Sequence, residues 1–326
     1  MYLCAPCKII MFLYNRVNKK ELRERVKAET FKRTTLSFYR YVHIENPLML
    51  RNELFAYWQS LNVLGRIYIA REGINAQLSV PDHNFKAFTD NLYENPLFKE
   101  VPLKFAIEDD NTSFFALIMK VKKKIVADGL KDDAFDTTNT GKRLEALEFH
   151  KMVDEPNTVV VDMRNNYESE VGRFKNAICP DVKNFRDELP KVLEILEDKR
   201  DKDILLYCTG GIRCEKASAW LKHNGYKNVF QLHGGIIQYV HQVKQHGLES
   251  KFIGKNFVFD ERLSEKVTDD VLSKCHCCGE VCERQINCSY EPCHTLHIQC
   301  EKCSEERKGF CSDKCRDDYH KAVAVH

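Results

Sequence analysis

From Thr34 onward the apolar positions fall into register. Thr34–Ile44 alternates like a half-buried strand, and Pro47–Asn62 repeats Leu50, Leu54, Tyr57 and Leu61 on one helical face. Gly65–Ala70 and Ile74–Val80 predict a strand pair broken at Glu72-Gly73, Phe85–Tyr93 a helix, and Leu103–Glu108 a closing strand. The order βαββαβ predicts a ferredoxin-like α+β domain over 33–130. Such folds host many activities, so the pattern alone assigns none. Met119–Gly129 predicts one more strand, carrying Lys120, Lys122, Lys123 and Lys124. Lysines on both faces of a strand suit a phosphate-facing edge; they equally suit an edge guarded against pairing.

The rhythm lapses over 131–145, a polar, turn-rich linker that includes Asp132-Asp133. It returns over 146–250 as strands Thr158–Asp162, Ala177-Ile178, Asp203–Tyr207 and Val229–Leu232. Helices near Glu168 and over Leu189–Glu197, Glu215–Asn224 and Gly235–Gln245 alternate with them, which predicts a doubly wound parallel sheet. Residues 251–326 are expected to form a cysteine-rich, zinc-binding domain, short on apolar runs from about Lys274, and 1–32 an extension with a basic helix. That helix, Asn15–Arg33, carries eight cations (Arg16, Lys19, Lys20, Arg23, Arg25, Lys27, Lys32, Arg33) against three acids (Glu21, Glu24, Glu29), the pattern of a solvated face.

Charge and composition narrow the classes. Lys and Arg total 50 against 48 Asp and Glu, a net +2 that excludes a uniformly basic coat but leaves local patches open. At 43% hydrophobic residues over 326 positions, the chain can bury cores and is not wholesale disordered. No run approaches the ~18–20 apolar residues of a membrane span, and Ile9–Tyr14 is too short for a signal-peptide core. A cytoplasmic protein with reduced thiols is expected, which turns the 15 cysteines toward metal binding or catalysis. Cys4-Ala5-Pro6-Cys7 has the spacing of half a metal site with no second half nearby, and reads as incidental.

The sharpest chemical signal is Ile204-Leu205-Leu206-Tyr207-Cys208-Thr209-Gly210-Gly211-Ile212-Arg213-Cys214. A strand ends at Cys208, two glycines let the chain curl, and a helix begins. Cys208 therefore falls at the carboxyl edge of a parallel sheet, where α/β folds bind ligands. Backbone N–H groups at the positive end of a helix stabilise an anion and favour the nucleophilic thiolate. Arg213 adds a fixed positive charge. Cysteine phosphatases use a loop one residue longer; the four residues here (Thr209, Gly210, Gly211, Ile212) make a smaller ring, suited to the terminal sulfur of a persulfide. In this the segment resembles the rhodanese superfamily, together with Asp162-Met163-Arg164, Glu168, Glu170–Phe174 and Leu232-His233-Gly234-Gly235. The resemblance assigns the sulfur-carrying role to Cys208. Cys214 shares a helical face with Ala217, Ser218 and Leu221, which suits a core residue, with a resolving thiol as the alternative.

Ten cysteines crowd between Cys275 and Cys315. Four short-spaced pairs (Cys275/Cys278, Cys288/Cys293, Cys300/Cys303, Cys311/Cys315) supply eight thiolates, enough for two tetrahedral zinc sites. Zinc is favoured over an iron–sulfur cluster because the pairs have knuckle spacing, and a segment so poor in core residues needs a metal to fold. Spacing does not say which pairs share a metal, and Cys277 and Cys282 are left over.

Taken whole, the chain resembles the bacterial rhodanese-domain family of tRNA uridine hydroxylases. The marks are RTTLSFYRY (Arg33–Tyr41), AREGINAQLSVP (Ala70–Pro81), KIVADG (Lys124–Gly129), VVDMRNNYESEVG (Val160–Gly172), CTGGIRCEKAS (Cys208–Ser218) and GKNFVFDER (Gly254–Arg262). The resemblance implies 5-hydroxylation of the tRNA wobble uridine with molecular oxygen as cosubstrate, Cys208 and Arg213 being catalytic. A tRNA partner accounts for Lys120, Lys122, Lys123 and Lys124 as RNA-binding residues, with Arg66, Arg71, Lys175, Arg262, Lys302, Arg307 and Lys308 as further phosphate contacts. No flavin, haem or iron-triad motif explains how oxygen is activated or what donates electrons. A sulfurtransferase working through a Cys208 persulfide and a non-catalytic tRNA-binding adaptor are the alternative functions. The catalytic reading expects the Cys208 thiol to be open to something as bulky as a nucleotide.

Overall fold

Alternation along Arg33–Tyr41 places Leu36 and Phe38 on one side of a strand, and the neighbouring strands continue that apolar face. The computed structural model describes residues 18–131 and 134–324. The Cys4–Cys7 spacing, the Ile9–Tyr14 run, Asn15, Arg16 and Asp132-Asp133 lie outside the described residues. The chain forms two compact units: one runs to Ile125 and takes in Asp260–Arg262, and the other holds Val126–Phe259 and the chain from Leu263.

In the first unit the elements are α1 (Lys19–Lys27), β1 (Arg33–Tyr41), α2 (Pro47–Ser60), β2 (Leu64–Ala70), β3 (Gly73–Pro81), α3 (Phe85–Glu94), β4 (Lys104–Phe105) and β5 (Leu117–Val121). The sheet order β4-β1-β3-β2 is antiparallel throughout, and β5 joins β2 in parallel, so the ferredoxin-like order carries one added edge strand. Leu50, Leu54, Phe55 and Trp58 of α2 and Phe88 and Leu92 of α3 pack on the face of Ile67, Ile74 and Leu78. Asn46 caps α2 by accepting the Met49 N–H, with Pro47 in the first turn.

Three expected elements are shorter than the pattern implied. The basic helix spans only Lys19–Lys27, and the closing strand only Lys104–Phe105. The strand expected over Met119–Gly129 ends at Val121, so Lys122, Lys123 and Lys124 lie past it. The physical reason is local: Lys122 N–H makes a last bond to Ile69 O (2.8 Å), then the Glu72 carboxylate captures Ile125 N–H (2.6 Å) and turns the chain.

The second unit begins with β6 (Lys142–Leu144), inside the stretch read as linker, followed by α4 (Ala146–Met152), β7 (Thr158–Asp162), α5 (Asn166–Ser169), β8 (Gly172–Phe174), α6 (Phe185–Ile195), β9 (Asp203–Tyr207), α7 (Ile212–His223), β10 (Val229–Leu232) and α8 (Gly235–Gln245). The sheet β6-β10-β9-β7 is wholly parallel. On one face Leu189 and Val192 of α6 and Ala217 and Leu221 of α7 bury Val161, Ile204 and Leu206. On the other, Phe174 holds Phe149 of α4, Tyr207 of β9 and Tyr239 of α8 at centroid distances of 5.3, 4.7 and 4.7 Å. Helices on both faces make the sheet doubly wound. The chain then adds β11 (Phe252–Phe257), β12 (Ser264–Lys266), β13 (Gln285–Asn287), β14 (Leu296–Ile298), α9 (Glu301–Arg307) and α10 (Asp313–Ala324). Val171, Phe257 and Ile298 share a small core there. No helix among the described residues is long and apolar enough to cross a membrane.

Candidate active site

β9 ends at Tyr207 and α7 starts at Ile212, so Cys208–Gly211 turn the chain at the carboxyl edge of the sheet. Gly211 caps the helix at φ 98°, ψ −19°, a left-handed conformation that costs glycine little. Its N–H donates to Cys208 Sγ at 3.1 Å, and the N–H groups of Arg213 and Cys214 and the Cys214 thiol point to the same sulfur. The far side of the loop is held by α8: Ile236 N–H donates to Cys208 O (3.0 Å) and Ile237 N–H to Thr209 O (3.2 Å). Gly235 makes that approach feasible, because a Cβ there would lie 2.5 Å from Thr209 O and 2.6 Å from Cys208 O.

Burial by itself drives a thiol away from ionisation. It pushes Cys179 up to about 11 and Cys214 well above the ordinary range. Cys208 is fully buried too, and burial again opposes its anion. The hydrogen bond from the Cys214 thiol, the charge of Arg213 and the backbone N–H groups outweigh that cost and bring it down to about 6. Cys214 is therefore more than a core residue. Its side of the helix is buried, as the spacing implied, and its thiol also serves the neighbouring sulfur.

Arg213 is anchored by Glu168. Its guanidinium forks onto Glu168, Nη1 to Oε1 at 2.6 Å and Nη2 to Oε2 at 2.8 Å, both side chains being buried. Glu168 also accepts the Asn165 N–H at 3.0 Å, closing the capping box that starts α5. Thr209 Oγ1 stands 3.5 Å from both Glu168 Oε2 and Arg213 Nη2. Upstream, Arg164 pairs with Asp162 (2.7 Å) and donates to Gly172 O (2.6 Å), while Tyr207 Oη donates to Asp162 at 2.7 Å. This fully buried brace fixes the strand end directly ahead of Cys208.

Two features run against the sequence expectations. Cys208 has no exposed surface, so the open thiol anticipated for the loop is corrected to an enclosed one. Arg262, proposed as a phosphate contact, is spent within its own unit: it binds Asp260 (2.6 Å) and Glu108 O, with its side chain buried. Sequence reasoning also missed Glu188 on α6. It is buried with neither carboxylate oxygen partnered, and burial pushes it well above the usual carboxylate range. No spacing signal marks a single acid inside an amphipathic helix.

The tail brings its eight expected cysteines into two groups of four. Cys275, Cys278, Cys300 and Cys303 form one, and Cys288, Cys293, Cys311 and Cys315 the other, with all sulfurs of a group within 4.8 Å of one another. The pairs alternate along the chain, so the two groups interlock. Sγ–Sγ distances of 3.8 Å (Cys278–Cys300), 3.7 Å (Cys293–Cys311) and 3.6 Å (Cys311–Cys315) are far too long for disulfides. They match the edge, about 3.8 Å, of a tetrahedron with metal–sulfur bonds of ~2.3 Å. Cys277 and Cys282 stand outside both groups. The tail is tied to the sheet domain by His276 Nε2 to Glu170 (2.7 Å) and Lys255 to Glu283 (2.8 Å).

Lys120 to Lys124 belong to the first unit and Cys208 to the second. Lys120 is exposed on β5, Lys122 and Lys123 are exposed beyond it, Lys124 is half-buried, and Lys122 Nζ lies 5.6 Å from the Tyr68 ring centroid.

Three family models match successive parts of the chain: a UPF0176 acylphosphatase-like domain over 33–125, a rhodanese-like domain over 145–242 and a rhodanese C-terminal segment over 253–316. A curated tRNA uridine(34) hydroxylase of Leptospira interrogans is 58% identical over 94% of this chain and 84% of its own length. Namesakes from Photorhabdus laumondii (51%, 94% of this chain, 87% of theirs) and Pectobacterium atrosepticum (50%, 94%, 86%) agree.

Proposed function

This chain belongs to the tRNA uridine(34) hydroxylase family, and we propose that it converts the wobble uridine of tRNA to 5-hydroxyuridine with Cys208 as nucleophile and molecular oxygen as cosubstrate. The observation that carries the reading is a buried thiol brought down to about 6 by convergent donors. Such a sulfur is ionised at pH 7 and ready to add to an electron-poor ring carbon. Addition of Sγ to C6 of uracil moves the C5–C6 electron pair to C5, conjugated with the C4 carbonyl. Oxygen and a two-electron reductant then supply one oxygen atom to C5 and release the other as water. Loss of the C5 proton and expulsion of Sγ restore the double bond and the free thiolate.

The other residues of the loop hold that state. Gly211, Arg213 and Cys214 donate to the thiolate, Glu168 fixes Arg213, and Ile236 and Ile237 brace the loop from α8. Because Sγ is enclosed, a uracil ring reaches it only when the covering side chains move, and the base itself leaves its stack. The two cysteine groups fit zinc, which would staple a tail too poor in core residues to fold unaided. The site of action is the cytoplasm, where tRNA is found and thiols stay reduced.

Enclosure also favours a second reading, in which Cys208 carries a persulfide and passes its small terminal sulfur to an acceptor. Thiocyanate formation from thiosulfate and cyanide identifies that activity. The deciding experiment incubates purified full-length protein with unmodified tRNA and a dithiol as two-electron reductant in air and analyses the nucleosides by mass spectrometry. Formation of 5-hydroxyuridine by the wild type and its loss in Cys208→Ala, with tRNA affinity retained, is expected. Full activity of Cys208→Ala overturns the role given to the sulfur.

A further inference from the structure

The first unit has a sheet with two very different faces. Leu36, Phe38, Ile67, Ile74, Ala76 and Met119 line the side that α2 and α3 cover. The period of two then sends the intervening residues to the opposite side. Strand register aligns them in rows. Tyr39 of β1 sits beside Asn75 of β3, Asn75 beside Tyr68 of β2, and Tyr68 beside Lys120 of β5. The row thus reads aromatic, amide, aromatic, ammonium. The next row adds Gln77 beside Arg66. Tyr39, Tyr68, Asn75 and Gln77 are half-buried and Lys120 is exposed.

This composition is unlike an ordinary solvated sheet surface. Tyr39 and Tyr68 are two strands apart, roughly 10 Å at ~4.8 Å per strand. An ammonium stands over each ring: Lys104 Nζ, on a buried side chain, lies 4.4 Å from the Tyr39 centroid, and the exposed Lys122 Nζ lies 5.6 Å from that of Tyr68. The Gln77 side-chain amide donates to Asn75 Oδ1 at 3.2 Å, leaving the Asn75 NH₂ as a hydrogen-bond donor between the two tyrosines. Aromatic rings set apart on a sheet, with side-chain amides between them and cations around them, are what unstacked nucleobases and their phosphates recognise.

We propose that this face of the first unit is a platform on which unpaired nucleotides of a tRNA loop stack, with Tyr39 and Tyr68 under successive bases and the exposed Lys120 and Lys122 on phosphates. The proposal rests on the tRNA hydroxylase reading for the identity of the RNA. The sheet face belongs to the first unit and the Cys208 loop to the second, and the role of the face is to hold the tRNA loop by its bases. It predicts a preference for single strands, whereas Lys120 and Lys122 alone would supply only charge, which duplex RNA satisfies equally well.

The test uses the full chain and two RNA probes, an anticodon stem-loop and a duplex of the same length, with affinity read by fluorescence anisotropy. Tyr68→Ala and Tyr39→Ala are each expected to weaken stem-loop binding about 5- to 100-fold while leaving duplex binding within twofold. Tyr68→Phe and Tyr39→Phe, which keep the ring, restore it. Lys120→Ala is expected to lower the salt dependence for both probes alike. A stem-loop carrying 5-bromouridine in the loop should photo-crosslink to Tyr39 or Tyr68. Wild-type affinity in both alanine variants, or equal loss for duplex and stem-loop, overturns the platform, as does cross-linking confined to the second unit. Since affinity is measured without turnover, these outcomes are independent of the hydroxylase reading, which fails separately if the wild type makes no 5-hydroxyuridine.

Discussion

Cys214→Ala isolates the most instructive interaction in the site. The fall of the Cys208 thiol from 9.0 to about 6 corresponds to about 4 kcal/mol in favour of the thiolate. Burial works against the anion, so the hydrogen bond from Cys214, the Arg213 charge and the backbone N–H groups together supply more than that. A hydrogen bond to a charged group contributes ~1.5–3 kcal/mol, and the thiol is a weak donor, which sets its share at the low end, about 1.5 kcal/mol. Removing it should raise Cys208 by about one unit, to near 7. The assay is the thiolate absorbance near the far-ultraviolet edge, titrated against pH as the difference between each protein and its Cys208→Ala counterpart; this cancels the tail cysteines and needs no reagent to reach an enclosed sulfur. A Cys208 titration unmoved by Cys214→Ala would show that the amides and Arg213 alone hold the anion, and the reasoning would fail.

Further outcomes follow from the same geometry. Glu168→Ala strips the partner from a buried guanidinium and should cost about 3–5 kcal/mol in urea unfolding of the rhodanese-like domain; Glu168→Leu with Arg213→Met recovers most of that stability, although not activity. Cys208 has a folded value below its unfolded one, so it stabilises the protein fully above pH 9 and loses this as pH falls through about 6. The stability difference between wild type and Cys208→Ala should therefore widen from pH 6 to pH 9 in denaturant titrations. Glu188 has the opposite sign: its raised folded value makes stability decline as pH climbs above the ordinary carboxylate range, so Glu188→Gln should gain relative stability with rising pH and leave hydroxylation within twofold. Chelation should release two metal ions per chain and expose amides over Cys275–Cys315 to hydrogen exchange, while the β6-β10-β9-β7 sheet stays protected.

Most of the fold was legible because its strands keep a clean period of two and its helices a clean apolar stripe. The order of β1 to β4 and the parallel sheet of the second unit both came from that patterning. Failures came where a side chain, and not the pattern, ends an element. Glu72 captures the Ile125 amide and cuts β5 short, so three lysines that read as strand lie beyond it. β8 escaped notice because three residues carry no period, and it pairs with β11, about 80 positions away in sequence. In the site, glycine spacing revealed the Cys208 turn, since Gly211 and Gly235 have backbone positions that other residues would strain. Glu168 stood out as part of a motif, but nothing in the sequence said that it would grip Arg213 from 45 residues away. The same limit applied to the metal groups: which pairs join depends on the β13–β14 hairpin folding between them, which spacing does not encode.

The pH dependence of tRNA hydroxylation tests the central claim most directly. With saturating oxygen and reductant, kcat/KM for wild-type protein should rise through an acidic limb near pH 6, and in Cys214→Ala that limb should move up by about one unit, tracking the Cys208 titration. A limb that stays in place when the Cys208 titration moves, or turnover that survives Cys208→Ala, would contradict a thiolate at the heart of the reaction.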